Sequence, residues 1–155
     1  MSNLIIAIMY SDNGTYVKVK SILIEKYGLI KKETEPYDFD KFTSYYEKEM
    51  GKGIIKRFLI FDKEIEKNDL VKIKHETTEV EKEFSIDNKR TINLDPGYLN
   101  NKELVLASFK KGTNYKEDMG QGVYAHKVLE FNGEIKTFWH TFPDYKEHKE
   151  LFTYP

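Results

Sequence analysis

Six apolar residues stand in a row from Leu4 to Met9, and an unbroken run fits a central strand covered on both faces better than a half-exposed strand, which would alternate. The turn formers Tyr10-Ser-Asp-Asn-Gly14 follow. Tyr16, Val19, Leu23 and Tyr27 then recur at intervals of three and four, the stripe of an amphipathic helix, with Gly28 placed to end it. Leu29 to Tyr37 reads as a Lys- and Glu-rich strand, a composition suited to a sheet edge that must resist pairing with other chains. Ile54 to Phe61 is the second strongly apolar run. Asn68 or Asp69 is placed to cap a helix carrying Leu70, Ile73, Thr77, Val80 and Phe84, and Thr91 to Leu94 makes a short strand stopped by Pro96.

Strand, helix, strand, strand, helix, strand is the order of an α+β, ferredoxin-like βαββαβ core. In that topology the first and third strands lie in the middle of the sheet, and these are the two most apolar runs. Additional strands follow. Leu104 to Phe109 reads as a strand rather than a helix, and Val123 to Phe131 and Glu134 to His140 flank Asn132-Gly133, the signature of a two-residue type I′ hairpin. In that register Phe131 faces Glu134, His126 faces Trp139 and His140 faces Ala125, so the two imidazoles point to opposite sides and share no metal. The long connection from Pro36 to Gly53 is expected to hold a short helix, with Asp40 as cap, Phe42, Tyr45, Tyr46 and Glu49 along it and Gly51 as stop. The organisation expected is a single domain over 1–155, with a core at 4–99, an extension with the hairpin at 100–145 and a short tail at 146–155.

Composition narrows the function classes. A net charge of −1, from 25 basic and 26 acidic side chains, supplies no field for general nucleic-acid binding. No Cys is present, which removes disulfides, thiolate metal sites and a catalytic thiol. No apolar run approaches the ~18 residues of a membrane span, and the N-terminus lacks a basic lead and a cleavage site, so the expectation is a cytoplasmic chain with no membrane partner. Phosphate loops, the G-x-S-x-G elbow and H-E-x-x-H are missing: Gly51-Lys-Gly53 and Gly120-Gln-Gly122 lack the remaining spacing. His75 and Glu79, four apart on a helix, read as a solvated face rather than a metal pair.

Arg57 and Arg90 are the only arginines beside 23 lysines, and a planar fork is what Lys cannot reproduce. Arg57 falls mid-strand and needs a partner, either Glu35 or Asp38 or an anionic ligand. The aromatic and acidic stretch Glu35 to Gly51 can wall a pocket with Tyr45, Tyr46, Glu47 and Glu49, and the turn at Asn93-Leu-Asp-Pro-Gly-Tyr98 brings Asp95 and Tyr98 to a possible rim. The reading is a domain that binds a small anionic or phosphorylated ligand, with an enzyme acting on that ligand as a further option. The ligand-binding candidates are Arg57, Arg90, Tyr45, Tyr46, Glu47, Glu49, Asp95 and Tyr98. No cofactor and no metal site are assigned. One rival is a non-enzymatic interaction or homo-oligomerisation module that buries the aromatic loop and the tail Leu151-Phe-Thr-Tyr154 against another chain. Another is Mg²⁺ or Mn²⁺ held by Asp38, Asp40, Glu47 or Glu49.

Tyr10-Ser-Asp12, Glu35 to Asp40, Tyr45-Tyr-Glu-Lys-Glu-Met-Gly51, Arg57-Phe-Leu59, Asn93-Leu-Asp-Pro-Gly-Tyr-Leu99, Leu104 to Ser108, Gly122 to Ala125, and Trp139 through Phe142-Pro-Asp-Tyr145 closely resemble the prokaryotic domain of unknown function 4416 family. The resemblance spans nearly the whole chain and implies little about activity. The chain departs from the family pattern at Thr77-Thr78, where Thr-Asn is usual, at Gly120-Gln-Gly122, where Gly-Arg-Gly is usual, and at His126, where Glu is usual. It stops at Pro155, where the family pattern continues into a longer helix.

Overall fold

A computed structural model describes residues 2–111, 116–138 and 140–152. The elements run β1 (Ser2–Tyr10), α1 (Asn13–Tyr27), β2 (Ile30–Glu33), β3 (Tyr37–Asp38), α2 (Glu47–Met50), β4 (Ile55–Ile65), α3 (Asp69–Glu83), β5 (Ile92–Leu99), β6 (Glu103–Ser108), β7 (Lys116–Gly120), β8 (Val123–Phe131), β9 (Ile135–Thr137) and α4 (Pro143–Glu147), then a 3-10 turn at Lys149–Phe152. The architecture is mixed α+β. Among the described residues one nine-stranded antiparallel sheet has the order β2-β4-β1-β5-β6-β8-β7, with β3 added on β4 and β9 on β8.

Because side chains alternate along a strand, the apolar run in β1 supplies both faces at once. Leu4, Ile6 and Ile8 pack with Tyr16, Val19 and Leu23 of α1 and with Leu70, Ile73 and Val80 of α3, so both long helices cover one face. Ile5 and Ala7 face the other way, into a second core with Phe58, Leu106, Tyr145 and Phe152. Met9, Phe39, Met50 and Ile54 form a third cluster under the long connection. The helix stripe of α1 is as its spacing predicts. Asp12 caps it by accepting the Thr15 N–H at 2.9 Å, and Gly28 ends it at φ +90°, a conformation that needs glycine.

Several expectations are corrected. The strand expected over Leu29 to Tyr37 is two short edge strands, β2 and β3, both on β4. The helix expected from Asp40 shrinks to α2, because the Asp40 carboxylate accepts the Gly53 N–H at 2.6 Å and staples the two ends of the loop instead of capping a helix. Asn68 makes no side-chain cap on α3, while Asp69 accepts the Glu66 N–H at 2.8 Å. Strand β5 continues through Pro96 to Leu99, since β1 pairs with it along its whole length. The hairpin loop is one residue longer than a type I′ turn. Gly133 has positive φ but Asn132 does not, and Phe131 faces Ile135 so that both apolar side chains reach the second core. Continued along the strands, that register brings His126 level with His140, and their rings stand 5.1 Å apart, not on opposite faces. Trp139, the partner expected for His126, lies outside the described residues. The tail's Phe152 is fully buried against Phe58 and Tyr145 of its own chain rather than offered to a second one, and Tyr154 lies outside the described residues.

Candidate functional site

The sheet is incomplete at one place, and the reason is local. Strand β6 pairs with β5 only at Gly97, Tyr98 and Leu99. At Gly97 the approach is so close that a Cβ would sit 2.1 Å from the Val105 carbonyl oxygen and 2.9 Å from Leu106 Cα. On the β6 side of β5 alternate N–H groups point outward, those of residues 94, 96 and 98. Pro96 has none to satisfy, and the Leu94 N–H is taken at 2.7 Å by the Glu81 carboxylate of α3, which stands where a neighbouring strand would have been. Ser108 to Lys110 diverge, and a groove of about 700 Å³ opens between β5 and the end of β6, floored by α3.

Four elements supply its chemistry. Helix α3 presents Lys74, Thr78 and Glu81, spaced by four and three and therefore on one face. Strand β5 presents Asn93 and Asp95, two apart and hence on the same side of the strand. Strand β4 and α4 contribute Lys56 and Asp144, an ion pair at 2.7 Å whose side chains are 5% and 3% exposed. Tyr37 also donates to Asp144 at 2.8 Å, and the Lys56 ammonium lies 4.3 Å from the Tyr145 ring centroid and 4.9 Å from that of Phe39. Phe39, Phe42, Tyr45, Tyr46, Phe109 and Phe142 wall the opening, and Lys110 stands 5.4 Å over the Tyr45 ring.

A polar chain crosses the floor. Arg90 grips Glu49 through two parallel bonds, Nε at 2.8 Å and Nη2 at 2.9 Å, and its own backbone N–H adds a third at 3.0 Å. Arg90 Nη1 donates to Asn93 at 2.5 Å, Asn93 donates to Asp95 at 2.9 Å, and Lys74 lies 3.6 Å from Asp95. The bonds from Arg90 hold Glu49 below the usual carboxylate range and Glu49 in turn raises Arg90. Glu81 behaves in the opposite way. Burial pushes its carboxyl up to about 7, against the opposing pull of the Leu94 N–H and of Lys74.

The predicted site residues divide. Arg90, Tyr45, Tyr46 and Asp95 line the groove, and Glu49 stands behind Arg90. Glu47, at the start of α2, does not line it. Tyr98 is buried in the helix-side core and bonds Glu103. Arg57 lies on the helix side of β4, 3.6 Å from Glu33, donating to the Thr34 carbonyl at 3.1 Å and to the Tyr10 hydroxyl at 3.3 Å, with its guanidinium over the Tyr16 ring. Its partner is Glu33, neither Glu35 nor Asp38, and it has no part in the groove. The carboxylates weighed for a cation are dispersed: Asp38 accepts the Asp40 N–H, Asp40 is spent on Gly53, and Glu49 on Arg90. Among the described residues no three ligating side chains gather into a metal site. His75 meets the Gln121 carbonyl at 3.1 Å and Glu79 pairs with Lys82, outside the groove.

Lys56, Lys74, Glu81, Asn93, His126, His140 and Asp144 were not among the candidates. A signal existed for two of them, Lys74 and Glu81. Lys74, Thr78 and Glu81 form a polar line beside the apolar stripe of α3, but in sequence such a line is the ordinary solvated side of a helix. The split in the sheet turns it inward.

Among the described residues no helix is long and apolar enough to cross a membrane. No curated protein and no solved structure matches the chain. The segments meeting at the groove, from Tyr45-Tyr-Glu to Met-Gly51, Asn93-Leu-Asp95, Leu106 to Ser108 and Phe142 to Tyr145, are ones on which the family resemblance rests, and the family model described as Domain of unknown function (DUF4416) matches residues 1–154, so the chain belongs to that family.

Proposed function

We propose that the groove beside β5 binds a small anionic molecule that also carries a planar or apolar part. The observation that carries this reading is the meeting of an aromatic wall with the cations Lys74, Arg90 and Lys110 in one cleft of ligand size. Arg90 serves as scaffold in this reading, since its fork is filled by Glu49. Lys74 is the anion-binding group. Its ammonium is nearly desolvated and sits at 3.6 Å from Asp95, longer than a close ion pair, and 5.4 Å from the Phe109 ring. The frame suits a rigid site: the order β5-β1-β4-β2, all antiparallel with α1 and α3 on one face, is what supports reading these elements as a ferredoxin-like core. A cytoplasmic setting is part of the same proposal and rests on the sequence.

The experiment is a thermal-shift and calorimetric screen against inorganic phosphate, sugar phosphates, short-chain keto acids, nucleoside monophosphates and the neutral nucleosides. An anion from this set should raise the melting temperature of the wild type, and Lys74→Met should weaken it about tenfold or more while remaining folded. No stabilising anion, or equal binding by Lys74→Met, overturns the reading. The exposed aromatics Tyr45 and Phe142 at the mouth favour the rival, a protein-interaction face, and self-association lost in Tyr45→Ala would support it.

A further inference from the structure

We propose that the groove is a catalytic centre in which Glu81 removes a proton from a carbon next to the carbonyl of a small anionic substrate and returns it. This inference rests on the binding reading above. Glu81 is buried, with a side chain 8% exposed, and its two oxygens are differently engaged. Oε2 accepts the Leu94 N–H and lies 3.8 Å from Arg90 Nη1, whereas no hydrogen bond within the described residues engages Oε1. The carboxyl is thus held by the backbone in one orientation and has one oxygen left for a ligand.

A second, independent observation points to a missing partner in the same groove. The Tyr145 hydroxyl is wholly buried among residues that line it and makes no hydrogen bond among the described residues. Burial, reinforced by the neighbouring Asp144 and Asp95 charges, keeps it neutral and so a donor. A carbonyl or enolate oxygen is the kind of acceptor that such a hydroxyl wants. The groove hydroxyls lack the base that would activate a nucleophile: Thr78 donates to the Lys74 carbonyl at 2.8 Å, Ser108 accepts the Lys110 N–H at 3.0 Å and Thr43 accepts the Tyr45 N–H at 3.0 Å, and among the described residues none of the three is hydrogen-bonded to a carboxylate or an imidazole. Proton transfer, not covalent attack, is the chemistry left to this set of groups.

In the step itself the substrate C–H breaks and its proton bonds to Glu81 Oε1. The electron pair moves into the enolate, whose charge faces the Lys74 ammonium and the Tyr145 hydroxyl, and the same proton or one from solvent later returns to carbon. A carboxyl that titrates near neutrality is matched to giving and taking a proton at physiological pH, as burial makes this one.

The test is deuterium exchange in D₂O, followed by NMR, with pyruvate, 2-oxoglutarate and dihydroxyacetone phosphate as probes, alongside their binding by thermal shift. Glu81→Gln keeps an acceptor for the Leu94 N–H, so it should fold and still bind. It should lose exchange at the carbon beside the carbonyl by at least a hundredfold, and Glu81→Asp should restore part of it. Binding by wild type without exchange, or exchange unchanged in Glu81→Gln, rejects the inference and leaves the binding reading standing. If none of the probes binds at all, the inference falls for lack of a substrate of the stated class, and the phosphate and nucleotide arms of the earlier screen decide the binding reading separately.

Discussion

Glu81 has a structural duty that can be separated from any chemical one, because the backbone bond it accepts does not require a charge. Its carboxyl moves from about 4.5 in the unfolded chain to about 7 in the fold, so the folded state keeps a proton that the unfolded state has already released. The stability tied to that proton is complete below about 4.5 and is lost as pH rises through about 7. Glu33 and Glu49 act in the other direction. Burial raises Glu33, but Tyr16, Lys20 and Arg57 outweigh it, and Arg90 lowers Glu49, so their contributions hold above the ordinary carboxylate range and disappear as pH falls. Urea unfolding of the wild type should therefore weaken between pH 5 and pH 8 by an amount on the order of 3 kcal/mol or less. Glu81→Gln should remove most of that slope while leaving the acid limb intact. A slope unchanged in the variant would assign it to another group.

At the scale of elements, the meeting of β5 and β6 decides where the groove lies. Gly97 permits the approach of β6, and Pro96 removes the donor that would otherwise demand a longer pairing. The reason for glycine here is space and not backbone freedom, since Val105 O and Leu106 Cα occupy the place of a side chain. Gly97→Ala should force the strands apart and lower stability by about 2–3 kcal/mol, read from the shift of the urea midpoint. An unshifted midpoint would show that β6 moves freely. The connection between β3 and β4 is organised by the same economy of contacts: Asp40 ties its two ends, and Glu49 on α2 ties it to the residues before β5 through Arg90. Two stretches more than forty residues apart are thereby made walls of one cleft.

Over the whole molecule, two cores lie on the two faces of one sheet, and the C-terminal segment closes the second. Asp144 on α4 neutralises Lys56 inside that layer, and Tyr145 and Phe152 fill the space above Phe58. Asp144→Asn should cost about 3–5 kcal/mol by leaving a buried cation unpaired, even though the amide can still accept from Tyr37. Adding Lys56→Met should recover a large part of the loss, as the double-mutant cycle would measure by urea denaturation. Additive losses would mean that the two side chains act separately.

What the sequence determined by itself were the properties carried by short-range pattern. The run Leu4 to Met9, the stripe Tyr16 to Tyr27, the apolar stretch before Asp62, the strand at Leu104 and the Asn132-Gly133 hairpin were readable because periodicity and turn chemistry depend on neighbours a few residues away. Arg90, Tyr45, Tyr46 and Asp95, which line the groove, stood out as candidates from local signals of the same kind, a rare residue type, an aromatic loop and an expected turn. The tertiary structure alone decided the rest. It chose Glu33 over Glu35 and Asp38 as the partner of Arg57, because β2 and not the following loop lies beside that part of β4. It set His126 beside His140, because the burial of Phe131 and Ile135 outweighed the turn preference of Asn-Gly. It also turned Lys74 and Glu81 from the polar side of a helix into the floor of a groove. That outcome depends on β6 leaving β5 at Gly97, a contact between segments distant in the chain, and no local pattern encodes which distant backbone will be missing.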